Sequence, residues 1–459
     1  MISLFRLLSM AAMIAVLVTC GQEEPQKTNP TPPPPPPVPE SINSYTIMTY
    51  GCGGANLDNY YENVLEVVSQ LDVPSHINIV GQMKWSNGYN SDMSDGRGSV
   101  SRFKYNHAAR NYDNEVVSDN SFMIDDPNNL AEFVEWARSE APADEYVIIF
   151  MGHGNAYHPG FEGDNTRGIM RDDEEISYLG LSAITEAFET ADAHFGMVFM
   201  MCCLMNSIEY VTELEPYADY YLASSHVTSI SGGEIYLFVE ALAKMEQYDS
   251  MSLVEAVKYY IDQDYDLWWD QNYLTIDHTL TECSKIVQVN SAIREFTDIV
   301  AALYEEQAEI GGERMNNKYG FTTSVIDDAL SRAYYPVNAE FSKEDIEALQ
   351  WYRLDYAFDV VDVATQVAEA TKLSEIADTV EKIKTAAAEA ITYQRHACLN
   401  NVSRVYYTVA LVNKEQWSAL GFEEAGYEET AFDEATGWSR LLKSNRATFM
   451  HVRSVLLWL

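Results

Sequence analysis

Two short apolar runs dominate the hydrophobic pattern of the first half of the chain. One, Tyr146-Val147-Ile148-Ile149-Phe150-Met151-Gly152, stops at His153-Gly154; the other, Phe195-Gly196-Met197-Val198-Phe199-Met200-Met201, stops at Cys202-Cys203. Continuous apolar runs of this length, rich in β-branched and aromatic residues, read as buried strands of a parallel sheet. Ligands and chemistry collect at the carboxyl ends of such strands. If the two runs are neighbours, a histidine and a cysteine meet at one edge of the sheet.

The surrounding pattern supports that sheet. Tyr45 to Tyr50 reads as a strand closed by Gly51-Cys52-Gly53-Gly54, after which Leu57, Tyr60, Tyr61, Val64, Val67, Val68 and Leu71 fall at helical spacing. A strand over Ile77 to Val80 and a polar loop or hairpin over Ser86 to Gly98 follow. Asp126-Pro127 is a helix start, with Leu130, Phe133, Val134 and Ala137 as its apolar stripe. Leu181, Ile184 and Phe188 mark a helix before the cysteine strand, and Ile208, Val211 and Leu214 one after it. Tyr220 to Ala223 is a further strand, leading into a polar loop from Ser224 to Gly233. Alternating strands and helices predict an α/β fold with a mostly parallel sheet covered on both faces. Beyond about Phe296 the pattern turns to long helices, clearest over Ile346 to Val361 and Leu373 to Ile391. A late strand-like run, Val405 to Val412, precedes a tail with Trp417, Phe422, Trp438 and Leu441. Pattern alone leaves open whether residues 296–459 are a separate domain or an extension of residues 44–295.

Composition narrows the function. The 459 residues are 47% hydrophobic and 12% aromatic, enough to bury a large core. With 29 basic and 70 acidic residues the net charge is −41, which repels nucleic acid and anionic membrane surfaces. The plain reading of so much acid is a solvated surface.

The amino terminus carries its own signals. Arg6, the apolar stretch Leu7 to Val18 and Thr19-Cys20 read as an export signal over residues 1–19, too short for a membrane span. Leu17-Val18-Thr19-Cys20 resembles a bacterial lipobox, in which Cys20 would be lipidated; a plain secretory signal is the alternative. Residues 20–43 include the proline run Pro32 to Pro37, an extended spacer. The expected arrangement is a folded body tethered to a membrane of the bacterial cell envelope, or a secreted one if the lipobox is not used. Setting Cys20 aside leaves five cysteines, Cys52, Cys202, Cys203, Cys283 and Cys398, with no paired spacing. No disulfide framework is indicated, and the odd count hints at a free reactive thiol. Neither CxxC nor HExxH is present, so no zinc site is signalled.

A cysteine attacks as its thiolate, and a neighbouring imidazole both lowers the thiol pKa and later protonates the leaving amine. Gly154, with no side chain, would let a backbone N–H beside His153 or at Cys203 face a developing oxyanion. Each residue also has a bland explanation: free cysteine is among the most buried residue types, and a histidine followed by glycine is common in loops.

Beyond these two positions the chain resembles the clostripain family of cysteine peptidases, C11, in the caspase-like clan. The resemblance rests on Gly53-Gly54-Ala55-Asn56-Leu57, on the helix and strand from Leu130 to Phe150, and on His153-Gly154. It rests further on Cys203-Leu204-Met205-Asn206-Ser207-Ile208-Glu209, Tyr217-Ala218-Asp219-Tyr220 leading to Ser224-Ser225, and Thr436-Gly437-Trp438. The Cys-Leu-Met-x-x-x-Glu segment is the most specific, and it selects Cys203 over Cys202. The resemblance implies a caspase-like three-layer sandwich, a Cys203 and His153 dyad, and hydrolysis of peptide bonds, usually after a basic residue. It implies no cofactor for the chemistry, a calcium requirement in some members, and zymogen processing between histidine and cysteine, where Arg167 and Arg171 stand. Substrate contacts would involve Ser224, Ser225 and the residue two before the nucleophile.

Two departures stand out. The family usually has aspartate two places before the nucleophile, helping to select basic residues; here that place holds Met201, followed by Cys202. A thioether cannot pair with lysine or arginine, and burying such a charge unpaired costs several kcal/mol. The glycine-rich stretch after the histidine is replaced by Asn155-Ala156-Tyr157-His158, which makes His158 a weaker rival base. The expectation is an exported, lipid-anchored endopeptidase with its preference shifted away from Arg and Lys. The alternative is an inactive lipoprotein that binds peptide in the same cleft.

Overall fold

The computed structural model describes residues 44–54, 56–157, 168–172, 177–226, 234–244, 252–269, 275–333, 357–398, 405–423 and 425–448. The amino-terminal signal, Cys20, the tether, His158 and Arg167 lie outside the described residues. Arg171 falls within the short strand Ile169–Asp172.

Nine strands form the main sheet: β1 (Tyr45–Cys52), β2 (Ile77–Lys84), β3 (Val100–Asn106), β4 (Asn111–Ser118), β5 (Glu145–Met151), β6 (Phe195–Met201), β7 (Ala218–Ala223), β8 (Thr275–Glu282) and β9 (Ile391–Cys398). Their spatial order is β9-β8-β7-β6-β5-β1-β2-β3-β4. The five central strands, from β7 to β2, run parallel. The outer pairs on both sides are antiparallel.

Helices cover both faces, as continuous apolar strands require. They include α1 (Asp58–Ser69), α2 (Pro127–Glu140), α3 (Leu181–Thr190), α4 (Ile208–Leu214), α5 (Glu234–Lys244), α6 (Leu253–Trp269), α7 (Ile286–Glu305), α8 (Ser324–Leu330), α9 (Val360–Thr371) and α10 (Ser374–Ala390), with three shorter helices after them. Side chains alternate along each strand. Ile148, Phe150, Val198, Met200 and Cys202 enter one core with Leu130 of α2, Ile184 of α3, Ile293 of α7 and Val363 of α9. Val147, Ile149, Met151, Met197 and Phe199 enter the other with Val64 of α1, Phe238 of α5 and Val257 of α6. The result is a three-layer α/β sandwich. The start of α2 forms as its sequence predicts, with the Asp126 carboxylate accepting from the Asn128 N–H and Pro127 in the first turn.

Several expectations need revision. The boundary placed between residues 295 and 296 falls inside α7, and β9, from beyond it, completes the edge of the main sheet. Burial explains this: α7 and α10 carry the apolar layer that covers the sheet beside β7 and β8. Of the helix expected over 346–361, residues 346–356 lie outside the described residues, while Ala357–Asp359 is a strand and Val360 begins α9. Asp359 ends the strand by accepting from the Val361 and Asp362 N–H groups as the helix cap. The late strand shrinks to Thr408–Ala410, paired with Ala357–Asp359. None of the helices among the described residues is long and apolar enough to cross a membrane.

Candidate active site

The register of the two central strands sets the site. Met201 stands opposite Met151 at the end of the β5–β6 ladder. Two residues further along, each chain reaches His153 and Cys203 respectively, so strands separated by fifty positions in sequence deliver both groups to one sheet edge. The contact is tight. A Cβ on Gly154 would lie 2.1 Å from the Cys203 carbonyl oxygen and 2.8 Å from its backbone nitrogen, so only glycine lets the histidine segment lie against the cysteine. Past the cysteine the chain turns sharply, with Leu204 at φ 65°. Such a conformation is strained for a leucine and requires support from neighbours. The Leu204 N–H donates to the His226 carbonyl at 2.9 Å and the Asn206 N–H to the Ser224 carbonyl at 2.8 Å, fixing that turn to the end of β7.

The environment separates the two adjacent cysteines. Cys202 is 1% exposed, donates from Sγ to the Phe150 carbonyl at 3.5 Å, and burial raises its thiol well above the usual range. Burial also raises Cys52 and Cys283. A thiol that cannot ionise is not a nucleophile. Cys203 alone among the four cysteines whose side chains are described is not buried.

A further residue, Asn56, belongs to the site. His153 Nε2 lies 2.8 Å from Asn56 Oδ1. The amide oxygen can only accept, so Nε2 carries the proton and Nδ1 is left to accept one. Sequence reasoning placed Asn56 in the opening glycine turn without giving it a role. The signal was its position just past the carboxyl end of β1, the strand adjacent to β5. The His153 segment is held from the other side by the Met170 N–H, which donates to the His153 carbonyl at 2.8 Å. The strand carrying Met170 is in turn tied to β2 by the buried Lys84–Asp172 ion pair.

The other predicted positions fall as follows. Met201 is half-buried against the core that contains α1, α5 and α6. Ser224 and Ser225 are 2% and 0% exposed. The Ser224 hydroxyl accepts from the His226 N–H at 3.0 Å, and the Ser225 hydroxyl accepts from Asn206 Nδ2 at 2.8 Å. Both hydroxyls bond within the turn behind Cys203, the strand end that carries them being packed inside. Glu209 of the Cys-Leu-Met-x-x-x-Glu segment is fully buried. It accepts from Ser207, from the Ala410 N–H at 2.8 Å and from Tyr427 at 3.1 Å, and burial raises its carboxyl pKa. It anchors the turn after the cysteine to the carboxyl-terminal segment.

A doubly covered parallel sheet with an accessible thiol and an imidazole at adjoining strand ends defines the architecture of the caspase-like cysteine peptidases. The clostripain family model matches residues 106–436, and the chain belongs to that family. Among solved structures it is similar to a secreted C11 cysteine protease from Bacteroides thetaiotaomicron, with a TM-score of 0.57 and 12% identity over 86% of this chain and 100% of that one. A secreted C11 protease from the same organism in complex with an irreversible peptide inhibitor gives a TM-score of 0.58 and 15% identity over 86% and 99%. An inactive zymogen C11 protease from Parabacteroides distasonis gives 0.55 and 11% over 86% and 99%. No curated protein matches.

Proposed function

We propose that this family member is an active cysteine endopeptidase in which Cys203 is the nucleophile and His153 the general base and acid. The observation that supports the reading is the packing of Gly154 on the Cys203 backbone, which brings the His153 segment against a partly exposed cysteine while Cys202 is buried and its thiol is held protonated. In this mechanism Nδ1 of His153 takes the Cys203 proton. The thiolate adds to the scissile carbonyl, and backbone N–H groups at Cys203 and Gly154 stabilise the oxyanion. The imidazolium then protonates the leaving amine, and water hydrolyses the thioester with the histidine again as base. Asn56 holds the imidazole in the tautomer that this sequence of transfers needs.

Met201 puts an apolar surface where the family's aspartate would stand, so the preferred residue before the scissile bond is uncharged. Export, with lipid attachment at Cys20 and the proline run as spacer, accords with the amino-terminal sequence. Cleavage of a diverse peptide library tests the whole reading. Wild type should cut after apolar residues, Cys203→Ala should lose at least ~10³-fold in kcat/KM, and Met201→Asp should gain cleavage after Lys or Arg. Binding of library peptides without turnover by wild type would instead establish an inactive peptide-binding relative.

A further inference from the structure

Behind the nucleophile's turn, the end of β7 and the two antiparallel strands beyond it bring together His226, Asp277 and His396. One candidate ligand atom from each lies within 4.8 Å of the others. The side chains are sealed: 0% exposed for His226 and Asp277 and 2% for His396. Asp277 Oδ2 lies 3.5 Å from His226 Nδ1, and Asp277 Oδ1 lies 3.3 Å from His396 Nδ1. Both separations are longer than the usual 2.7–3.2 Å of an N–H···O bond. Each carboxylate oxygen thus faces one imidazole nitrogen at or just beyond the long end of hydrogen-bond range. Among the described residues, neither Nε2 of His226 nor Nε2 of His396 has a hydrogen-bond partner. Unpaired buried polar nitrogens are costly and call for a reason.

We propose that His226, Asp277 and His396 form a buried binding site for a divalent transition-metal ion of the Zn2+ class. Two imidazoles and one carboxylate suit zinc and its neighbours, whereas calcium and magnesium select all-oxygen sets. The surroundings are those of a ligand site. The Ser225 N–H donates to Asp277 Oδ2 at 2.7 Å and orients the carboxylate, the support that outer groups give to metal ligands. The ion would join three strands at the back of the catalytic turn, since the His226 carbonyl receives the Leu204 N–H directly after Cys203. No sequence motif announces the site, because its ligands come from three separate strand ends.

The test uses the full chain carrying Cys203→Ala, which removes the accessible thiol as a competing ligand. Titration with Co2+ should produce visible ligand-field bands saturating near one equivalent, displaced by Zn2+, and Zn2+ should raise Tm. Both effects should vanish when His396→Gln or Asp277→Asn is added. Absence of saturable Co2+ bands, or undiminished binding in either folded variant, overturns the proposal in favour of a metal-free His–Asp–His hydrogen-bonded group. Should those variants not fold, X-ray absorption of the Zn2+-loaded chain decides. A shell with two imidazole nitrogens supports the site, and a shell of oxygen alone or one with sulfur overturns it.

Discussion

Replacing Asn56 by alanine removes the acceptor that fixes His153 Nε2 while leaving both the thiol and the imidazole in place. The expected outcome is a fall of about tenfold in kcat with little change in KM, because orientation of the base is lost and substrate contacts are not. Steady-state kinetics checks this, and an unchanged kcat would remove Asn56 from the site. At this scale the sequence was partly legible. His153 and Cys203 stood out because apolar strands end at them, and the choice of Cys203 over Cys202 agrees with the strict alternation that sends Cys202 into the core. Asn56 was hidden because its partner is ninety-seven positions away.

Among the elements, the turn into α9 offers the clearest pH dependence. Asp359 accepts from Val361, Asp362 and Tyr406 N–H groups. Burial nevertheless raises its pKa from 3.8 to about 6. The sign follows from linkage: a carboxyl harder to ionise in the folded state contributes stability that is fully present below pH ~4 and is lost as pH rises to ~6. Asp359→Ala should therefore destabilise, by about 1 kcal/mol through loss of the cap, with a larger deficit at pH 4 than at pH 7. Denaturant unfolding at both values checks this, and a deficit that grows with pH would contradict it. The element pattern was legible where apolar periodicity is strong, in the central strands and in α10. It failed for β3 and β4, whose alternating or exposed polar residues, such as Val100-Ser101-Arg102-Phe103, lack a continuous run. It also failed at 357–361, where an apolar segment changes from strand to helix at Asp359.

Over the whole molecule, residues beyond 295 are part of the fold that holds Cys203. Glu209, six places after Cys203, is bonded to Ala410 and Tyr427, and Asn206 Nδ2 donates to the Tyr406 carbonyl at 2.9 Å. A chain ended after residue 295 would cut α7, remove α10 from the apolar layer and deprive Glu209 of its bonds to Ala410 and Tyr427. It should be recovered insoluble or without a cooperative unfolding transition, as circular dichroism would show; a folded, active truncation would contradict this. The long reach of these contacts explains why the change to helical patterns near Phe296 left two regions in view where the sheet joins them.

The central claim, that Cys203 is a nucleophile activated by His153, is tested most directly by labelling with a thiol-directed peptide warhead and locating the adduct by mass spectrometry. The account predicts a single adduct on Cys203, none on Cys202, Cys52 or Cys283, and labelling slowed by orders of magnitude in His153→Ala. Absence of an adduct on Cys203, or a rate indifferent to His153, would contradict it.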